Sequence, residues 1–160
     1  MTTTLIIARH GNTFNPGETP RRVGARTDLP LTESGRAQAL KLGQHLKAQG
    51  IIPAAAFSSE QQRTRETATL ALAQINAGIV LQPMGIFNEL DYGPDEDLPE
   101  DDVIKRLGRA ALDAWDEHAT PPEGWLVDVP QIIQNWRDFA ADIGQRYAGR
   151  TVMVVTSNGT

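Results

Sequence analysis

This 160-residue sequence contains no cysteine. Disulfide frameworks, thiol nucleophiles and thiolate metal sites are therefore excluded. Long apolar runs are also lacking. The run at residues 5–8 is too short for the core of a signal peptide, and nothing approaches the roughly 18 apolar residues of a membrane span. We therefore expect a cytoplasmic protein with no membrane partner.

Positive charge is also scarce. The sequence has 15 lysine and arginine residues against 20 aspartate and glutamate residues, which gives a net charge of −5. A general nucleic-acid binder needs a basic surface that displaces counterions from phosphates. We therefore expect no nucleic-acid partner. A small anionic substrate remains compatible with this composition, because a few arginines suffice to make one pocket positive.

Short apolar runs alternate with segments of helical periodicity, which is typical of an α/β layer structure. The run at residues 3–8 has no polar alternation and predicts a strand buried on both faces. Further strands are predicted at residues 54–57, 79–82 and 151–156. The pattern indicates one domain over residues 1–160, a three-layer α/β/α sandwich with a mostly parallel central sheet.

Capping residues mark the starts of the predicted helices. Thr32 is the expected N-cap of the first helix. Ser59 and Gln62 resemble a capping box at the start of the second helix. Asp128 precedes the last helix and has a proline in the turn that follows. Helices are predicted at residues 33–49, 60–75 and 104–115, and from residue 128 onward.

The last predicted strand, residues 151–156, is followed by only four residues. A strand of a parallel sheet normally continues into a helix that packs back onto the sheet. We therefore expect the domain to be incomplete at its C-terminus.

Polar side chains directly follow three of the predicted strands. They are Arg9-His10-Gly11, then Ser58-Ser59 leading to Arg63, and finally Ser157-Asn158-Gly159. Ligands of open parallel sheets bind outside the carboxyl ends of the strands, so these loops are expected to converge. They carry one imidazole, two guanidinium groups suited to bidentate phosphate recognition, and helix N-termini that offer N–H groups to an anion. The sequence therefore predicts a phosphate site.

Four ordered motifs resemble those of the histidine phosphatase superfamily, the phosphoglycerate-mutase-like proteins. The segment around Arg9-His10-Gly11 is similar to the family's strand and RHG signature. Residues 28–38 are similar to its D-x-P-L-T-x-x-G-x-x-Q stretch, and residues 58–68 to its S-S-x-x-x-R-x-x-x-T-A helix opening. Residues 89–93 resemble its E-x-x-x-G segment. In addition, residues 151–159 look like the strand and turn that hold its second histidine.

The resemblance implies phosphoryl transfer through a phosphohistidine. In that mechanism His10 is the nucleophile, and Arg9 and Arg63 hold the phosphoryl oxygens. Glu89 is first the acid and then the base. The two guanidinium groups take the place of magnesium, so neither a metal nor another cofactor is implied. The implied partner is a small phosphorylated substrate, and the sequence carries no signal for an oligomeric state.

Five further residues are implied to bind substrate, namely Gly11, Thr13, Asn15, Arg22 and Asn158. Two of them depart from the family pattern. Asn158 stands where the family has its second catalytic histidine, and an asparagine cannot add positive charge. Asn15 lies one residue nearer the nucleophile than the family's phosphate-contacting asparagine. Arg26 shares with Arg22 the loop in which the family often contacts substrate.

Three functions are compatible with this pattern. A phosphatase that acts on a small phosphomonoester is preferred, because the chain after His10 leaves limited room for the larger insertions of mutases. A phosphoglycerate mutase shares the first half-reaction. A noncatalytic protein that binds a phosphorylated ligand is the third possibility, motivated by Asn158.

The acidic residues between positions 95 and 102 are expected to form a solvated loop before a helix N-terminus, and not a metal site.

Overall fold

The computed structural model describes residues 1–75 and 78–160 and has a parallel four-stranded sheet at its centre. The strands are β1 (Thr4–Arg9), β2 (Ala55–Ser58), β3 (Leu81–Pro83) and β4 (Thr151–Thr156). They lie in the order β1-β4-β2-β3, and every neighbouring pair is parallel. The predicted α/β fold with a parallel sheet is confirmed, and the strand ends lie within two residues of their predicted positions.

Helices pack on both faces of this sheet. Along β4, Met153 and Val155 pack against α1 and α2, whereas Val152 and Val154 pack against α5. Alternate residues of one strand thus enter two different apolar layers, as the pleat of a strand requires. No helix within the described residues combines the length and apolar character needed to cross a membrane. The helices are α1 (Glu33–Ala48), α2 (Gln62–Ile75), α3 (Glu100–Leu107), α4 (Arg109–His118) and α5 (Val129–Arg146), with short 3-10 turns at Gly85–Phe87 and Gly93–Asp95.

The predicted N-caps of α1 and α5 are confirmed. The Thr32 hydroxyl accepts a hydrogen bond from Gly35 N at 3.1 Å. The Asp128 carboxylate accepts one from Gln131 N at 3.0 Å. Each cap satisfies an N–H group that the first turn of a helix leaves without a partner.

The predicted capping box at α2 is wrong. The Ser59 hydroxyl bonds to the side chains of Gln61 and Thr64, and does not cap the helix. The cap comes from the long loop after β1, where Asp28 Oδ1 accepts a hydrogen bond from Gln62 N at 2.9 Å. A contact across 34 positions replaces the local one, and it ties the loop to the start of α2.

The prediction that the first strand is buried on both faces is also wrong. Within the described residues, β1 is an edge strand with β4 as its one strand neighbour, and Ile7 is 57% exposed. The strand that is buried on both faces is β4, where residues 152–155 are fully buried. An apolar run predicts a strand but does not specify how many neighbours that strand has.

The helical period over residues 104–115 belongs to two helices and not to one. Gly108 separates α3 from α4 with φ of +81°, a left-handed conformation that glycine adopts without steric cost. These helices enclose an apolar cluster around Val103 and Leu112, to which Trp125 contributes its ring. This third cluster lies apart from the two layers that cover the sheet.

The acidic segment is only partly solvated, because Asp95 is fully buried. Its carboxylate accepts hydrogen bonds from Arg106 Nε at 2.6 Å and from Trp125 Nε1 at 2.7 Å. Burial alone would raise the pKa of Asp95, but these partners outweigh that effect and lower it. The residue therefore acts as a charged anchor for the helical unit formed by α3 and α4.

A test of the packing between α1 and α2 uses Gly43, where a Cβ atom would lie 2.8 Å from Ala71 Cα. We expect Gly43→Ala to lower the free energy of unfolding by about 1–3 kcal/mol, because the helices must move apart. The control is Gly144→Ala in α5, where no described residue outside the helix lies within 4 Å of an added Cβ atom. That change should raise the free energy of unfolding by about 0.5–1 kcal/mol. Urea denaturation measures both, and equal stability of the two variants would contradict the predicted packing.

Candidate functional site

A cleft of about 970 Å³ lies at the carboxyl ends of β1 and β4. Eight of the nine residues predicted from the sequence line it. They are Arg9, His10, Gly11, Thr13, Asn15, Arg22, Glu89 and Asn158. The ninth, Arg63, is fully buried and does not line the cleft. The structure therefore brings the loops after separate strands to one place.

His10 follows directly after β1, and its backbone N–H donates to Thr156 O at 3.1 Å, which extends the pairing with β4. The ring Nδ1 lies 2.7 Å from Gly11 O. A carbonyl oxygen only accepts, so Nδ1 carries the proton and Nε2 keeps its lone pair. Burial, aided by the charges of Arg63 and Arg9, lowers the pKa of this imidazole to about 4. The hydrogen bond to the carbonyl opposes the shift, and the ring remains neutral near pH 7.

Gly11 lets the loop that carries the imidazole approach the start of α1. A Cβ atom on Gly11 would lie 2.9 Å from Gly35 Cα, so only glycine fits. The backbone N–H of Gly11 donates to the hydroxyl of Thr67 in α2 at 3.1 Å. Thr67 also lines the cleft. It lies within one of the sequence motifs, but its place in the cleft follows from the fold.

The two predicted arginines differ in exposure. Arg9 is exposed at the cleft, whereas the guanidinium of Arg63 is fully buried. Nη1 of Arg63 donates to Thr27 O at 3.0 Å, and its Nε and Nη2 have no hydrogen-bond partner among the described residues. Burial lowers the pKa of Arg63, and the negative charge of Glu89 opposes that shift. These two N–H groups are themselves buried, so Arg63 acts on the cleft through its charge, which helps to lower the pKa of His10.

Glu89 is 7% exposed and presents its carboxyl group to the same cleft. Burial raises its pKa, although hydrogen bonds from Leu90 N (2.9 Å) and Gly159 N (3.4 Å) oppose this. The backbone N–H of Glu89 donates to the buried side chain of Gln61, which follows β2. A carboxyl group with a raised pKa can hold a proton and later release it, which suits an acid and a base.

Tyr92 was not among the residues predicted from the sequence. Its ring is buried and lines the cleft, with the hydroxyl and the Glu89 carboxyl group both close to Gly159. Burial, together with the negative charge of Glu89, raises the pKa of Tyr92. Tyr92 lies three residues after the acid in the E-x-x-x-G segment, so its nearness could have been suspected.

Of the two loop arginines, Arg22 lines the cleft and Arg26 does not. The Arg22 guanidinium stacks on the rings of Tyr92 and Trp125, with its Cζ 5.3 Å and 5.0 Å from the ring centroids. Arg26 instead pairs with Asp91 at 3.1 Å. The sequence suggested both arginines as substrate contacts. Of the two, only Arg22 lines the cleft.

Thr13, Asn15 and Asn158, the other residues implied to bind substrate, line the cleft. The Asn15 backbone N–H donates to Glu18 Oε2 at 2.6 Å, which fixes the loop at that point. Asn158 is exposed, and it directly precedes Gly159, whose N–H bonds to the buried carboxyl group. Its amide is therefore free to meet a ligand.

The cleft contains the groups that phosphoryl transfer requires. A neutral imidazole can attack, guanidinium groups can neutralise phosphoryl oxygens, and a carboxyl group can carry a proton. Within residues 1–75 and 78–160, no three histidine, aspartate or glutamate side chains are grouped so that they could hold a metal ion.

Comparison with known proteins assigns this chain to a family. The family model described as "Histidine phosphatase superfamily (branch 1)" matches residues 5–160. A 2,3-bisphosphoglycerate-dependent phosphoglycerate mutase of Rhodopseudomonas palustris (strain BisB18) is 32% identical over 122 residues, which cover 75% of this chain and 58% of the relative. The mutase of Bifidobacterium longum (strain DJO10A) is 30% identical over 154 residues, which cover 95% and 58%. The chain thus spans less than two thirds of the length of these relatives.

Solved structures agree with this assignment. YhfR of Bacillus stearothermophilus has a TM-score of 0.79 and 29% identity, and the match covers 96% of this chain and 73% of that protein. A mycobacterial glucosyl-3-phosphoglycerate phosphatase complexed with VO3 has a TM-score of 0.80 and 25% identity, covering 97% and 76%. These proteins share the α/β architecture found here.

The protonation state of His10 is directly testable. We expect its ring signals in NMR spectra to titrate with a midpoint near pH 4 and to stay constant between pH 6 and 8, because burial disfavours the charged ring. The His10→Asn variant identifies which of the three histidine signals is lost. A midpoint at the ordinary histidine value near 6.5 would show that burial does not control this ring.

Proposed function

Because this chain belongs to the histidine phosphatase superfamily, we propose that it hydrolyses the phosphoric monoester of a small metabolite through a phosphohistidine formed on His10. The observation that carries the proposal is the neutral ring of His10 in the cleft, with the charges of Arg9 and Arg63 beside it. The relatives described above are named as phosphoglycerate mutases and as a phosphatase. Both names denote chemistry at a phosphoric monoester.

In the first half-reaction, Nε2 of His10 attacks phosphorus in line with the leaving oxygen. The bond between phosphorus and Nε2 forms as the bond between phosphorus and the ester oxygen breaks. Glu89 gives its proton to that oxygen, so the alcohol leaves uncharged. Arg9 and Arg63 neutralise the charge that spreads over the three remaining phosphoryl oxygens. Their charges serve the purpose that a magnesium ion serves in other phosphoryl transfers, so the proposed reaction uses no metal.

In the second half-reaction, Glu89 takes a proton from water, which then attacks phosphorus. Phosphate leaves, and His10 returns to its neutral form with the Nδ1 proton still held by Gly11 O. Glu89 regains the proton that it gave away, so one full cycle leaves the protein unchanged. The buried position of this carboxyl group supports both roles, because a raised pKa favours proton retention before the first step.

Asn158 is expected to lower the rate of this reaction. We infer that it occupies the position of the family's second histidine, at the turn after β4. Its exposed amide can donate a hydrogen bond to a phosphoryl oxygen, but it adds no positive charge. The proposed activity is therefore lower than that of a protein with histidine at this position.

A second candidate function is phosphoglycerate mutase activity, which the names of the two curated relatives favour. It requires that the phosphohistidine pass its phosphoryl group to a second phosphoglycerate hydroxyl and not to water. Release of free phosphate is the observable that separates hydrolysis from this transfer.

We expect His10→Asn to lower the rate of p-nitrophenyl phosphate hydrolysis by about 10³-fold or more, because it removes the nucleophile. The matched control is His45→Asn, which changes an exposed histidine of α1 and should leave the rate unaltered. Assays run with and without a chelator measure both variants, and the wild-type rate should not depend on added magnesium.

Two results would contradict the phosphatase proposal. Complete dependence on magnesium would exclude metal-free phosphoryl transfer. Absence of turnover in a folded protein that still binds vanadate would indicate the noncatalytic function. In that second case, Asn158→His would show whether the asparagine had disabled the cleft.

We expect Glu89→Gln to lower the rate for an alkyl phosphate by about 10²-fold, because an alkoxide leaves poorly without a proton donor. The rate for p-nitrophenyl phosphate should fall less, since its leaving group needs little protonation. As the pH rises through the raised pKa of Glu89, the wild-type rate for the alkyl ester should fall, and the variant should lack this pH dependence. Glu117→Gln, at an exposed position of α4, is the control. An equal loss for both esters would argue against a role in protonating the leaving group.

A further inference from the structure

Residues 14–23 form one side of the cleft, here called the loop wall, and both of its arginines are already paired with carboxylates. Nη1 of Arg21 lies 3.0 Å from Asp97 Oδ2, and Nη2 of Arg22 lies 2.5 Å from Glu100 Oε2. Arg9 and Arg63, by contrast, form no salt bridge among the residues that the structure describes. The two arginines whose charges act on His10 therefore have no paired carboxylate, whereas the two arginines of the loop wall do.

Backbone hydrogen bonds hold this pairing in place. Arg22 N donates to Leu98 O at 2.9 Å, and Asp97 N donates to Arg22 O at 2.9 Å. Arg21 forms an antiparallel bridge with Pro99 in the same register. Asp97 takes φ of +63°, a left-handed conformation that aspartate and asparagine tolerate better than most residues. The main chain thus holds the segment that carries the two carboxylates beside the loop wall.

The loop wall also contributes four apolar side chains to the cleft, together with Asn15 and Glu18. Phe14 lies under the Arg21 guanidinium, with its ring centroid 5.9 Å from Arg21 Cζ, and Arg22 is held between two aromatic rings. Pro16, Pro20 and Val23 complete the lining on this side. Among the described residues on this side, a substrate therefore meets apolar faces, the Glu18 carboxylate and two arginines that already hold carboxylates.

We propose that this cleft selects phosphomonoesters whose alcohol group is uncharged, such as a polyol or a sugar, and discriminates against esters that carry a second anionic group. This inference rests on the phosphatase function proposed above. A carboxylate or second phosphate on the substrate would have to compete with Asp97 and Glu100 for the two arginines, and would meet their negative charge. Asp97 and Glu100 are therefore specificity-determining residues that act through Arg21 and Arg22.

The test uses two esters that differ at one carbon, glycerol 3-phosphate and 3-phosphoglycerate. For the wild-type protein we expect kcat/KM to be at least about tenfold higher for the glycerol ester. A ratio of about tenfold corresponds to one charge-assisted hydrogen bond that the carboxylate of 3-phosphoglycerate cannot form with a paired arginine. The double variant Asp97→Asn/Glu100→Gln frees both arginines. It should raise kcat/KM for 3-phosphoglycerate by about tenfold and thereby reduce the preference.

The control variant is Asp138→Asn/Asp142→Asn on α5, which removes the same number of negative charges away from the cleft and should leave the preference unchanged. Asparagine keeps the left-handed conformation at position 97, so the loop wall should retain its shape. The inference is overturned if the wild-type protein prefers 3-phosphoglycerate, or if the double variant shifts the preference no further than the control does.

Measurements of ester binding test this inference independently of the phosphatase proposal. Calorimetry on the His10→Asn protein gives dissociation constants for both esters without turnover. If the wild-type protein hydrolyses neither ester, the proposed reaction fails, and the ratio of the two dissociation constants still decides the selectivity. A ratio near one would refute the selectivity even in a protein that hydrolyses both.

Discussion

The buried guanidinium of Arg63 governs the charge balance of the cleft. Removing a charge from water costs on the order of several kcal/mol, and this residue has no salt bridge among the described residues to offset that cost. The carbonyl of Thr27 and the charge of Glu89 offset part of it. The same positive charge helps to keep His10 neutral and favours an anion in the cleft, although Arg63 itself does not line the cleft. One buried cation thus favours anion binding and preserves the imidazole in its reactive form.

The position of the site could be predicted from the sequence because parallel strands all end at one edge of the sheet. His10 and Asn158 follow strands that turn out to be neighbours, with Ala8 paired to Val155. Polar clusters after apolar runs thus pointed to Arg9, His10, Gly11 and Asn158, whereas the other four predicted residues that line the cleft came from the family resemblance. Their chemical roles remain predictions, since placement alone does not establish what a side chain does.

Other features depended on contacts between distant parts of the chain. The sequence predicted that Asp95 is solvated. In the structure Trp125, thirty residues later, donates a hydrogen bond that helps to make the burial of Asp95 possible. The exposure of β1 depends on which strands flank it, and a run of apolar residues carries no such information. Tyr92 lies near Glu89 at the start of a short 3-10 helix, a turn that the sequence pattern did not predict. Local patterns therefore predicted the elements better than their surroundings.

The close approach of Gly11 and Gly35 has a consequence for how this protein could change. Main-chain atoms make that contact, and Gln38 Oε1 adds a hydrogen bond from Asn12 N at 2.8 Å. The position of the imidazole does not depend on the side chains of the outer face of α1, which points away from this loop. Substitutions on that face can alter solubility or create a surface for another molecule without moving the reactive nitrogen. The helix beside the cleft is in this sense free to diversify while the chemistry next to it stays fixed.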